Sequence, residues 1–136
     1  MSEKSNNFAL SDEFFAKACV DLEAAKYLLD GGFLEGAISR AYYAAFHAAR
    51  AVLLLLGERP RTHEGTLQLF GLRVVKPGLI ETKYARSFRL LFQNRQTADY
   101  TVLTSIEEQE TKEMIQAADA FLKEINKLCA KIKEES

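Results

Sequence analysis

Arg95 stands where a charge is costly. Ile80, Tyr84, Phe88 and Leu91 recur at helical spacing, and one further step of four lands on Arg95, on the same face as the apolar residues. An unpaired guanidinium cannot be buried there, so it must reach a carboxylate, backbone carbonyls, a phosphate or a water-filled groove. Asp99, four residues on and past the expected helix end, is close enough to fold back onto it. Two readings follow. In one, Arg95 caps helix-end carbonyls and pairs with Asp99. In the other, Arg95, Asp99 and Tyr100 surround a polar cleft at the end of the fold and take up an anion.

A second constellation lies on the segment Phe33 to Leu56. On a helical wheel Arg40, Tyr43, His47 and Arg50 fall within an arc of about 80°. A Tyr and a His between two arginines make either a solvated rim with stacking partners or a surface for a ligand or partner. His63 follows Thr62 at an expected helix start, where the dipole disfavours imidazolium and favours the neutral ring. It reads as a local hydrogen-bonding residue or as a base or phosphate-side donor. His47 and His63 are the sole histidines, and Cys19 and Cys129 the sole cysteines. No metal site is expected from so few ligands, and no cofactor, since no Gly-rich phosphate loop occurs. There is no Gly-x-Ser-x-Gly turn either. Cys19 and Cys129 read as small core or boundary residues.

Charge is unevenly spread. All eight arginines lie between Arg40 and Arg95, and the stretch from Arg59 through Arg95 carries a local charge of +6 in a chain whose total is −1. Arginine is the residue suited to bidentate phosphate recognition. With Tyr84, Phe88, Phe92 and Tyr100 nearby, this middle could hold a nucleotide or single-stranded RNA, or it could be a solvated face paired across the fold. The sequence pI of about 6.1 argues against a dedicated binder of duplex DNA.

The elements that position these residues read as helices. The 136 residues suit one domain, and 48% hydrophobic residues suffice for a core without staples. Residues 1–10 are expected to be a flexible tail and 11–136 the domain. Phe15, Ala18, Leu22, Ala25 and Leu29 mark a first helix from Ser11, its N-cap, to Asp30, stopped by Gly31-Gly32. The second runs from Phe33 to Leu56. Its core face is Ile38, Tyr42, Phe46, Ala49, Leu53 and Leu56. A second face of Ala37, Ala41, Ala44, Ala48 and Ala51 allows close approach of another helix. Occupied on all sides, this helix is expected to be central. A third helix spans Thr62, its cap, to Val75, and Pro77 opens a fourth. Gln96 to Thr104 reads as a loop. Ser105-x-x-Glu108 is a capping box for a last helix with Met114, Ala118, Phe121, Ile125, Leu128 and Ile132 inward. The fold class is all-α, a five-helix antiparallel up-and-down bundle. The longest apolar run, Ala51 to Leu56, is far short of a membrane span, and the N-terminus lacks a secretory pattern, so a cytoplasmic location is expected.

With these residues in place the chain resembles the small prokaryotic HEPN (higher eukaryotes and prokaryotes nucleotide-binding) proteins. The resemblance rests on Ala25-Lys-Tyr-Leu-Leu29, Ala37-Ile-Ser-Arg-Ala-Tyr-Tyr-Ala-Ala-Phe-His47, Thr62-His63 and Arg95-Gln-Thr-Ala-Asp-Tyr100, and spans nearly the whole length. It implies a helical bundle that forms a homodimer and is partnered with a minimal nucleotidyltransferase, many such pairs being toxin–antitoxin systems. Active members resemble metal-independent ribonucleases whose motif is an Arg, four to six residues, then a His. Arg95 fills the Arg slot, but Tyr100 stands where the His is expected. A phenol with a pKa of about 10 is a poor base at neutral pH. Tyr100 could still stack on a base, donate a hydrogen bond or accept an adenylyl group from the partner enzyme. Three readings remain. The first is a nucleotide- or RNA-binding HEPN-like module. The second is a ribonuclease toxin using Arg95 with His47 or His63. The third is a structural oligomer. The alanine face and the polar stripe of the second helix also point to a dimer.

Overall fold

Four long helices alternate in direction, packed so that each hides its apolar stripe. The computed structural model describes residues 2–100 and 106–136; of Tyr100 it describes the backbone alone. Helix α1 spans Glu3–Asp30, α2 Leu34–Leu55, α3 His63–Phe70, α4 Thr82–Tyr100 and α5 Glu108–Glu134. The described residues include no strand. The all-α up-and-down bundle expected from the sequence is the architecture found, with α3 a short insertion in the link from α2 to α4.

Antiparallel packing is read from paired contacts. Ser11 Oγ on α1 donates to Ala51 O on α2 at 2.8 Å, while Asp21 on α1 meets Arg40 on α2. Helix α2 is central, packing on α1, α3, α4 and α5. Ala37, Ala41, Ala44, Ala48 and Ala51 are all fully buried inside the chain. The alanine face therefore serves packing within the subunit and gives no support to a dimer. Phe70, Phe88 and Phe121 fill the middle of the core, with ring centroids 5.4 to 5.6 Å apart.

Several boundaries differ from expectation, each for a local reason. Helix α1 begins at Glu3, capped by Ser2 Oγ accepting from Ser5 N–H, so residues 3–10 are helix and not a tail. Ser11, expected as the cap, is buried in mid-helix, its hydroxyl satisfied by the Ala51 carbonyl. Thr62 caps α3 as expected, its Oγ1 accepting from Gly65 N–H at 2.8 Å. The last turns of that segment, Gly71–Val75, are π-helical. Arg73 in this stretch ties back to Glu58 at 2.6 Å and to Leu56 O. Pro77 does not open α4, which starts at Thr82, although Ile80 before it is still buried. Gly57 adopts φ +82°, a backbone conformation open to glycine, and turns the chain out of α2. Gln96 to Tyr100 continue α4 instead of forming a loop. Ser105 of the expected capping box lies outside the described residues; the residue found capping α5, Glu107, makes no side-chain cap bond. Among the described residues no helix is long and apolar enough to cross a membrane.

Candidate functional site

Continuing α4 through Tyr100 puts Arg95 one turn before Asp99 on the same helix face, and brings both against α2. The Arg95 side chain is 19% exposed. Its Nη2 donates to Tyr43 Oη at 3.1 Å, and its guanidinium carbon lies 5.6 Å from the Tyr42 ring centre and 5.4 Å from that of Tyr43. Nε is 2.8 Å from Asp99 Oδ2, but off the N–H axis, so the contact is an ion pair without an aligned hydrogen bond. Nη1 bonds no described residue. Arg95 thus combines features of both sequence readings: it is paired, yet not used up.

Tyr43 connects Arg95 to the stripe on α2. Arg40 lies over its ring at 4.8 Å and donates to Asp21 Oδ1 at 3.0 Å. One turn on, His47 is stacked in parallel with Phe14 at 6.3 Å, and Arg50 lies 4.4 Å over Phe14 and 5.5 Å over Phe46. Arg40, Tyr43, His47 and Arg50 are therefore continuous with Arg95, and three guanidinium groups lie against aromatic rings. Such stacking leaves the in-plane N–H donors of Arg free to bind. Two hollows lie in this part of the molecule, of which the first borders the row through Phe14 and Arg50. Phe14, Arg50, Arg59 and Pro60 line one; Glu64, Gln68, Arg89 and Phe92 line the other. Neither is lined by Arg95.

The two histidines part company. His47 is 8% exposed, its Nδ1 buried without a described partner, and its Nε2 stands 3.6 Å from Asp21 Oδ2, too far for a hydrogen bond. Burial, then the charges of Lys17, Arg50 and Arg40, push its pKa down to about 4, so this contact is not an ion pair at neutral pH. A ring so enclosed is poorly placed to exchange protons with a bound substrate. His63 is half-buried at the start of α3, stacked on Phe46 at 4.4 Å, and its Nδ1 is 2.6 Å from Tyr42 Oη. Burial, with Arg95 and Arg50 adding to it, lowers its pKa as well. Desolvation raises the pKa of the Tyr42 phenol and keeps it protonated.

The sequence reading missed three residues. Tyr42 was read as core alone, but it touches both His63 and Arg95. Asp21 and Phe14, on α1, complete the row. Asp21 follows Ala18 by three positions and precedes Leu22, a carboxylate beside an apolar stripe, the same signal that singled out Arg95. It is 5% exposed, and burial raises its pKa against the opposing pull of Arg40 and Lys17. The side chain of Tyr100 lies outside the described residues, so its place beside Arg95 is not assigned. Cys19 is exposed and Cys129 buried.

The HEPN domain profile matches residues 11–128. The chain belongs to the HEPN family. Among its relatives, a Methanocaldococcus jannaschii protein named "Putative toxin MJ0605" is 38% identical over 82% of this HEPN chain and 83% of its own length. A Thermotoga maritima protein named "UPF0332 protein" is 36% identical over 87% of this chain and 88% of its own. A second M. jannaschii relative, "Putative toxin MJ0142", is 28% identical over 85% and 79%.

Proposed function

We propose that this HEPN chain is the toxin-type member of a two-component system and that its Arg95-centred row binds the phosphates and bases of a nucleotide or of single-stranded RNA. The observation that carries this reading is the set of three arginines, Arg40, Arg50 and Arg95, each laid on an aromatic ring along one face. Guanidinium forks suit phosphate oxygens, and Tyr43 and Phe14 offer rings on which bases stack. The toxin names of two relatives support the toxin-type role. A separately encoded minimal nucleotidyltransferase is the partner expected from the family resemblance, in the cytoplasm. A homodimer is part of the same proposal. Its support is not the alanine face but Val20 and Tyr27, one face of α1, exposed at 67% and 80%.

Binding of a fluorescent single-stranded oligo(U) tests the reading. Arg95→Ala should weaken it by about 10- to 100-fold, the weight of a charged hydrogen bond of roughly 1.5–3 kcal/mol. Unchanged binding, or a loss explained by unfolding alone, would leave the scaffold reading in its place.

A second reading, metal-independent RNA cleavage, is favoured by one contact: His63, neutral and half-exposed, shares Tyr42 with Arg95. It replaces His47, which is too enclosed for the role. Cleavage of RNA that persists in EDTA and disappears in Arg95→Ala and His63→Ala supports it; intact RNA rejects it.

A further inference from the structure

The Tyr42–His63 contact fixes more than a distance. Tyr42 is fully buried, and His63 Nδ1 is the hydrogen-bond partner its hydroxyl has among the described residues. If the hydroxyl accepted a proton from Nδ1, its own proton would be buried with no acceptor, a cost of about 1–3 kcal/mol. If it donates, that proton is satisfied and Nδ1 is an acceptor. Neutral imidazole with Nδ1 unprotonated carries its proton on Nε2. His63 Nε2 bonds no described residue, and the residue as a whole is half-buried. Arg95 lies on the same two rings, Tyr42 and Tyr43, that flank His63.

We propose that Tyr42 is a positioning residue that locks His63 in the Nε2–H tautomer, and that this N–H together with Nη1 of Arg95 forms a two-donor subsite for a phosphate oxygen of the bound nucleotide. The subsite rests on the nucleotide-binding reading above; the tautomer does not. In the resting protein the His63 nitrogen that Tyr42 does not hold is a donor, not a basic lone pair. Protonation at Nδ1 as well is opposed by burial first, then by Arg95 and Arg50, and by the positive end of α3.

Nitrogen NMR of the imidazoles, recorded without ligand, reads the tautomer, with His63 assigned by the signals lost in His63→Gln. The expected spectrum has a protonated Nε2 and a bare Nδ1, shifting to mixed tautomers in Tyr42→Phe. In oligo(U) binding, His63→Ala should lose about fivefold, as for one hydrogen bond. His63→Gln, whose amide can place an N–H near the Nε2 position, should stay within about twofold of wild type. A protonated Nδ1 in the wild type overturns the inference whatever binds. A harmless His63→Ala, or a Gln variant as weak as Ala, overturns the subsite and leaves the role of Arg95 standing. Absence of oligo(U) binding by the wild type overturns the proposed function and the subsite together, and the ligand-free spectrum tells that failure from a wrong tautomer. The His63 variants keep the test decisive if Tyr42→Phe does not fold.

Discussion

Arg95 and Asp99 face one another across a turn of α4 with Nε and Oδ2 2.8 Å apart, yet the approach is out of line, and Nε–H has no hydrogen-bond acceptor among the described residues. Asp99 balances the charge without occupying the donors. It is the more exposed partner, at 37% against 19%, so an arriving anion competes with a carboxylate that water can readily solvate.

Asp99→Asn should therefore strengthen oligo(U) binding, by about two- to fivefold, since it removes a like charge from beside the phosphate. Its effect on stability should be modest, about 1 kcal/mol or less, because Arg95 is largely enclosed but keeps its Tyr43 bond while Asp99 is open to water. Titration and urea denaturation of the same variant check both halves. Weaker binding would mean that Asp99 orients Arg95 instead of competing for it.

Stability should fall in acid, and His47 should be a main cause. Its pKa is lowered from the usual 6.5 to about 4, chiefly by burial, so the folded protein resists a proton that the unfolded chain accepts. The contribution is whole above about pH 6.5 and is lost as pH falls toward 4, an effect of order 3 kcal/mol at most. Asp21 acts in the opposite sense. Burial raises its pKa, so the folded state takes up that proton more readily and offsets part of the loss. Urea midpoints at roughly pH 7 and pH 4.5 should differ less in His47→Gln than in the wild type. An equal acid loss in both would place the sensitivity elsewhere.

Thr62 should matter to both folding and site. Its Oγ1 caps α3 through Gly65 N–H, and its carbonyl accepts from Thr66 Oγ1 at 2.8 Å, next to His63 in the chain. Thr62→Ala should cost about 1 kcal/mol by urea denaturation. Oligo(U) affinity should fall with it, because the start of α3 holds His63 on Tyr42. A stability loss with unchanged affinity would separate the cap from the site.

How far the sequence reached depended on period. The stripes of α1, α2 and α5 are legible because steps of three and four residues run unbroken over several turns; Ala18, Phe121 and Ile125 are fully buried as expected. Boundaries failed where polar composition hid helix. Asn6-Asn7 disguised the start of α1, and Gln96-Thr97 disguised the end of α4. There Ala98 is buried and Thr97 bonds back to the Gln93 carbonyl. Arg95 and the stripe on α2 were legible because charges on or beside an apolar arc demand a partner. Their meeting through Tyr43 was not, since it depends on the register between α2 and α4, which no local pattern encodes. Tyr42 was hidden for a further reason: a hydroxyl at a core position looks in sequence like any buried ring.

The claim that this row of arginines grips a nucleic-acid backbone is met most directly by the salt dependence of oligo(U) binding. With Arg40, Arg50 and Arg95 each neutralising a phosphate, log affinity against log salt should have a slope of about −2 for a single strand, reduced in magnitude by about 0.7 in Arg95→Ala. A slope near zero, or one that Arg95→Ala leaves unaltered, would contradict it.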